Sequence, residues 1–252
     1  MSFALYYLAK NPTVLARAQA EVDTLWGTSD DIDPSYTDIG RLTYVQQILN
    51  ETLRLWPTAP GYAVEPFEDT VIGGRYAVKR GDVITILTPP LHRSPEWGDS
   101  VEAFDPERFN TENVSTRPMH LYKPFGNGER ACIGRQFALT EAKLALAIIL
   151  QRFALSDPYD YAFHIKETLT LKPDGFRLHA RLRHARERLS VAMPSREDPG
   201  VDAAEYTALA GDGEPMHVLY GGSLGTCQDI AEQIAATASR AGFDARVAPL
   251  DT

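Results

Sequence analysis

Apolar residues recur at helical spacing from the first positions of the chain: Phe3, Ala4, Leu5, Tyr7 and Leu8. Asn11-Pro12 then predicts a new helix, with a side-chain acceptor at the N-cap and a proline at the first helical position, where its missing donor costs nothing. Val14, Leu15, Ala18, Val22 and Leu25 continue that pattern. Residues 30–40 are polar and contain proline, which predicts a loop. A further helix from Thr43 to Trp56 places Val45, Ile48, Leu49, Thr52 and Leu53 on one face and stops before Pro57, which disfavours helical geometry in the residue ahead of it. Short strands follow. Thr70 to Ile72 and Arg75 to Val78 flank Gly73-Gly74 as a hairpin, and Val83 to Thr88 reads as another strand. From Phe137 to Leu155 apolar residues occupy nearly every side, predicting a core helix rather than an amphipathic surface one. Thr168 to Leu171 and Phe176 to Leu182 flank Lys172-Pro173-Asp174-Gly175, a hairpin by its turn residues.

Beyond residue 183 the pattern lapses. Residues 184–215 mix Arg, Glu, Asp, Pro, Gly and Ala without apolar periodicity and read as a linker. Periodicity then returns with a buried strand at Met216 to Tyr220, a loop at Gly221 to Thr226, a helix from Asp229 to Ala241 ended by Gly242, and a second strand from Ala245 to Leu250. A strand, a Gly/Ser/Thr loop and a helix N-terminus make a generic anion site; the same order also serves as a strand-turn-helix that binds nothing. No lysine follows the glycines, which excludes a Walker loop, and Ser223 stands where a dinucleotide fingerprint needs glycine. Cys227 beside it reads as a small residue at a helix start.

Composition narrows the classes. The 252 residues are 44% hydrophobic and 23% charged, ordinary for a globular protein. A formal net charge of -9 argues against a nucleic-acid partner. The two cysteines, Cys132 and Cys227, are far apart, so neither a disulfide framework nor a C-x-x-C metal site can be read, and a reducing, cytoplasmic setting fits. Leu144 to Leu150, the longest uncharged apolar run, is too short to span a bilayer. The abrupt start inside a helical pattern suggests a fragment.

The candidate chemistry centres on Phe125-Gly126-Asn127-Gly128-Glu129-Arg130-Ala131-Cys132-Ile133-Gly134. This stretch puts a cysteine sulfur near the N-terminus of the long apolar helix, where unpaired N–H groups and the helix dipole favour negative charge. Such a sulfur is a metal ligand or a nucleophile, while a cysteine on its own is more often a small buried hydrophobe than a ligand. Glycines permit tight turns and close approach of a flat ligand, and Arg130 offers a charge-assisted donor to a carboxylate. Haem combines a flat metal centre with carboxylate arms. On the helix before Pro57, Glu51 and Arg54 form either a solvated i,i+3 pair, contributing about 0.2–0.5 kcal/mol, or part of a buried network with Arg108 of Pro106-Glu107-Arg108-Phe109. His92 has no catalytic partner pattern around it and reads as a packing or hydrogen-bonding group.

The whole cysteine string resembles the haem-binding loop of the cytochrome P-450 family, in which the cysteine thiolate is the proximal iron ligand. That resemblance implies that Cys132 binds iron, that Arg130 pairs with a haem propionate and that Phe125, Gly126, Gly128 and Gly134 shape the loop, with His92 near a propionate. It also implies that Glu51, Arg54 and Arg108 form the family's structural Glu-Arg-Arg cluster. Ala59 and Gly61, in the stretch after Trp56, match positions beside the haem where small side chains leave room for substrate or merely pack a turn, and Leu169 matches a hairpin residue that reaches the pocket. Gly222, Ser223, Leu224, Gly225 and Thr226 are similar to the FMN-phosphate loop of flavodoxins and diflavin reductases.

In this order the two segments resemble self-sufficient fusions of a cytochrome P-450 with its NADPH-dependent reductase. The implied fold is mainly α with small β-sheets (residues 1–183), a linker (184–215) and the start of a flavodoxin-like α/β unit (216–252). The implied reaction is hydroxylation of fatty acids or similar lipophilic substrates with O2, using electrons passed from NADPH through FAD and FMN. The family's oxygen-activating acid-alcohol pair lies on a helix of which this chain holds only the tail, Ser2 to Leu8, and the FAD and NADPH regions are expected beyond it. Two further readings stay open: a haem-binding product without catalysis, and an electron-transfer FMN module.

Overall fold

The computed structural model describes residues 1–29, 31–188, 215–220, 232, 234–236, 238–240, 242 and 244–249. The chain divides into two compact units, Met1–Ala192 and Met193–Thr252.

Four helices build the core of the first unit: α1 (Ser2–Lys10), α2 (Pro12–Trp26), α4 (Thr43–Leu55) and α7 (Arg135–Arg152). Their apolar stripes meet at Leu8, Val22, Val45, Ile48, Leu146 and Leu150, all fully buried. Between α2 and α4 lies α3 (Tyr36–Arg41), where the sequence reads as loop. It is nucleated by a capping box: Asp38 N–H donates to Ser35 Oγ at 3.1 Å, and Ser35 N–H donates to the Asp38 carboxylate at 3.1 Å. Ser-x-x-Asp departs from the usual Ser-x-x-Glu by one methylene, and the shorter acid still closes the ring. Asn11, predicted to cap α2, instead donates its side-chain amide back to Tyr7 O at 2.8 Å, so Pro12 starts α2 without a side-chain cap.

Burial along α7 corrects the expectation of a core helix throughout. Its C-terminal half is in the core, but Phe137 is 75% exposed. An apolar face thus continues past the point at which this unit covers it.

The strands are short and pair antiparallel: β1 (Gly61–Val64) with β4 (Ile84–Leu87), β2 (Thr70–Ile72) with β3 (Tyr76–Val78), β5 (Phe153–Ser156) with β8 (His179–Leu182), and β6 (Ile165–Glu167) with β7 (Leu171–Pro173). The last two pairings revise the predicted hairpin across 172–175. The real hairpin turns at residues 168–170, and the 172–175 turn leads out to β8, which returns to α7's end through β5. Two further short helices, α5 (Thr88–Leu91) and α6 (Thr111–Thr116), lie in the long excursion between β4 and the cysteine loop.

In the second unit, β9 (Pro215–Tyr220) and β10 (Asp244–Pro249) run parallel, Pro215 opposite Asp244 and Tyr220 opposite Pro249. Helical backbone occurs at 232, 234–236 and 238–240, between the two strands. Parallel neighbours need a crossover rather than a hairpin, and a helix is the usual one.

Candidate functional site

The segment from Lys123 to Gly134 is a loop closed by its own backbone. Gly126 N–H donates to Lys123 O at 3.2 Å, Ala131 N–H to Gly128 O at 3.0 Å and Cys132 N–H to Phe125 O at 2.9 Å. Gly126 and Gly128 take left-handed φ angles of 77° and 67°, so side chains there would be strained. Cys132 stands two residues ahead of α7's N-cap, Gly134, and its carbonyl accepts from Arg135 N–H at 3.3 Å. Cys132 is an exposed residue.

Above the loop lies a cavity of about 510 Å³. Cys132, Arg130, Phe125 and Gly126 form its floor; Leu49, Thr52, Leu53 and Trp56 of α4 and its end, with Ala138, Leu139 and Ala142 of α7, contribute walls; Ala59, Gly61 and Tyr62 come from the stretch that turns into β1. Gly128, Gly134, His92 and Leu169 are not among its lining residues. Leu169 stands at the tip of the β6–β7 hairpin, 91% exposed. That hairpin is nonetheless tied to the cavity's rim, since Leu171 N–H donates to Thr58 O at 2.9 Å.

The smallness of Gly61 has a local cause. A Cβ there would meet Ile86 O, on the partner strand, at 2.7 Å, a backbone atom that cannot swing aside. Pairing of β1 with β4 therefore demands glycine whatever occupies the cavity.

Beneath the loop, Glu51 and Arg54 are fully buried and pair two-pronged, Arg54 Nε to Oε2 at 2.7 Å and Nη2 to Oε1 at 2.8 Å. The other guanidinium bonds of Arg54 reach backbone carbonyls of His92 (3.0 Å), Val101 (2.8 Å) and Ala103 (3.2 Å). One arginine thus gathers three points of the excursion between β4 and the cysteine loop. Arg108 is the outlying member. Its Nε lies 3.6 Å from Glu51 Oε1, beyond hydrogen-bond reach, while its other nitrogens donate to Trp97 O and to Ser100. Burial pushes the Glu51 carboxyl up; the Arg54 hydrogen bonds and charge, the Asp105 N–H and the Arg108 charge pull it back.

The His92 ring is fully buried and hydrogen-bonded on both sides. Lys123 N–H donates to Nε2 at 2.9 Å, which makes Nε2 the acceptor. Nδ1 therefore carries the hydrogen and donates to Arg54 O at 3.1 Å. Burial, foremost, lowers this imidazole to about 4. Sequence reasoning missed Tyr122, half-buried beside it. Its hydroxyl donates to Asn50 O at 2.9 Å, and its ring packs 4.8 Å from Phe109 and 5.2 Å from His92, completing an aromatic pad under the loop. No motif marks a lone tyrosine of this kind.

Haem can be tested against this cavity. It needs a soft ligand for iron, a cation for its carboxylates and apolar walls along its faces, and the cavity has a thiol, a guanidinium and a largely aliphatic and aromatic lining. Among the described residues no group of three or more His, Cys, Asp or Glu gathers as a metal site. The residues fit. Gly222, Ser223, Leu224, Gly225 and Thr226 lie outside the described residues. No helix among those described is long and apolar enough to cross a membrane.

Comparison with known proteins agrees with this geometry. The chain is 43% identical, over its whole length, to the bifunctional cytochrome P-450/NADPH--P-450 reductase 1 of Bacillus subtilis (strain 168), covering 24% of that protein. It is 41% identical, again over its whole length, to a self-sufficient cytochrome P-450 monooxygenase of Penicillium expansum, covering 25% of it. The chain therefore spans about a quarter of the length of these relatives. Among solved structures, the haem domain of cytochrome P-450DA superposes with a TM-score of 0.71 at 51% identity, over 75% of this chain and 41% of that one. The family described as Cytochrome P-450 matches residues 1–180, which contain α1 to α7, the cavity and the cysteine loop. With its helical core, its small antiparallel sheets and Cys132 presented at the cavity floor, the chain belongs to the cytochrome P-450 family.

Proposed function

We propose that this chain is the haem-thiolate part of a monooxygenase that hydroxylates fatty acids or similar lipophilic substrates, using electrons from a fused flavin reductase. The observation that carries the reading is a single cavity lined by both Cys132 and Arg130 and otherwise mostly by apolar side chains. Cys132 ligates iron, and Arg130 pairs with a propionate. Bound there, haem would supply the dioxygen chemistry, its thiolate ligand pushing electron density toward O–O cleavage. Phe125, Gly126, Gly128 and Gly134 set the loop's path, and Glu51, Arg54 and Arg108 are structural. Trp56, Leu49 and Leu53 keep water from the chamber and favour an aliphatic substrate by burial. Ala59 leaves space at the chamber's side, Gly61 does so as a by-product of its strand pairing, and Leu169 would meet substrate from the β6–β7 tip, which Leu171 ties to the rim.

Residues 184–215 act as a linker in this proposal and 216–252 as the opening of a flavodoxin-like unit. Support for the latter is the parallel pairing of β9 with β10 around helical residues. Gly222, Ser223, Leu224, Gly225 and Thr226 would hold the FMN phosphate, while FAD and NADPH would bind parts of the relatives that this chain does not match. Two isolated cysteines suit a cytoplasmic setting.

The substrate class is tested by loading haem into the chain, supplied in trans with the remainder of a relative's haem domain, and titrating saturated fatty acids of rising length. Displacement of the haem absorption band that strengthens with chain length is the expected result. A band indifferent to fatty acids but displaced by small polar ligands would overturn the assignment.

A further inference from the structure

We propose that His92 is a positioning residue, transmitting the rigidity of the buried Glu51–Arg54 pair to the start of the cysteine loop. Two hydrogen bonds join His92 to Arg54 reciprocally: the Arg54 guanidinium donates to the His92 carbonyl at 3.0 Å, and the His92 ring donates to the Arg54 carbonyl at 3.1 Å. Neither residue can shift without the other. The far ring nitrogen then accepts from Lys123 N–H at 2.9 Å. From Lys123 the connection continues through backbone alone, Gly126 N–H to Lys123 O and Cys132 N–H to Phe125 O. An unbroken series of bonds runs from Glu51 to the residue bearing the sulfur.

Geometry sets what this ring must be. It is fully buried, it faces a carbonyl on one side and an amide N–H on the other, and only a neutral imidazole with hydrogen on Nδ1 satisfies both. The groups around it agree. Arg54 and Arg93 bring positive charge near the ring, which disfavours a second proton on it, while Trp97 lies edge-on at 6.3 Å and Tyr122 packs at 5.2 Å. The inference concerns how the loop is held rather than what it binds, so it is tested without haem.

The two halves of the ring can be separated by substitution. His92→Gln retains an acceptor at the reach of Nε2, His92→Asn retains a donor at the reach of Nδ1, and His92→Phe removes both. In the full 252-residue chain, peptide-resolved hydrogen exchange reads the Lys123 amide, and peptide-resolved iodoacetamide alkylation reads Cys132, each set against the unfolding free energy of the same variant. Removal of the Lys123 link is expected to raise exchange at that amide at least tenfold beyond what lost stability explains, and to change Cys132 alkylation severalfold, in both His92→Asn and His92→Phe. His92→Gln should restore both toward the parent values. Rescue by Asn as complete as by Gln would overturn the proposal, as would exchange and alkylation that merely follow global stability in every variant. Should the Phe variant fail to fold, the Gln–Asn contrast alone decides.

Discussion

Glu51, Arg54, Arg108 and His92 lie around the base of the cysteine loop, and they differ in energetic signature. Glu51 and Arg54 are both fully buried, so removing one leaves the other charged without its partner. Arg54→Ala should cost about 3–5 kcal/mol, read from denaturant midpoints. Arg108→Ala should cost less, about 1–3 kcal/mol, because its bonds go to Trp97 O and Ser100 rather than to Glu51. Comparable losses at the two arginines would contradict this ranking. His92 adds a pH dependence whose sign follows from its lowered value of about 4 against 6.5 for an ordinary histidine. The unfolded chain takes up the proton first as pH falls. The neutral ring's contribution is therefore intact above about pH 6.5 and is lost progressively toward about pH 4, at up to about 1.4 kcal/mol per pH unit. His92→Gln should flatten that part of the stability profile, a difference that denaturant unfolding at a series of pH values would measure.

The residue scale was the most legible from sequence where chemistry and spacing coincide. Cys132, Arg130, Phe125 and Gly126 converge on one cavity floor, and Glu51 with Arg54 pair as the network reading requires. His92 was legible as a hydrogen-bonding residue but not in its direction, because both partners are backbone groups remote in sequence. Gly61 was read as either cavity-shaping or packing; the packing partner, Ile86 O, lies across a strand pair that only the fold brings together.

At the scale of elements, local signals located helices better than strands. Apolar spacing found α1, α2, α4 and α7, since each packs one stripe against the others. It overstated the burial of α7, because composition alone cannot tell a face covered by this unit from one left open, as at Phe137. The 168–182 region was misread because two turn signals compete there, and pairing of β8 with β5 is a long-range choice that leaves no mark on local sequence. Two substitutions test the element-level account. Gly61→Ala should destabilise by about 1–3 kcal/mol through displacement of β1 from β4, seen as a lowered melting temperature without any ligand present; an unchanged melting temperature would return Gly61 to a purely cavity-shaping role. Ser35→Ala should weaken α3 by about 0.5–2 kcal/mol, visible as faster amide exchange at Asp38 with little effect at the cysteine loop.

Across the whole molecule, the first unit reads as a support for one loop. Helix α4 holds the charged pair from below, α7 carries the cysteine's C-terminal side, and the excursion between β4 and residue 123 is gathered by Arg54 at three carbonyls. Family membership rests on the match over residues 1–180, and the relatives' far greater length leaves partner domains and substrate at the level of proposal. The central claim is narrower: the Cys132 sulfur is an iron ligand. Its most direct test is the absorption spectrum of the reduced, carbon-monoxide-treated protein loaded with haem, supplied in trans with the remainder of a relative's haem domain. The thiolate-type spectrum is expected in the parent and absent in Cys132→Ala. A thiolate-type spectrum that survives Cys132→Ala unchanged would contradict it.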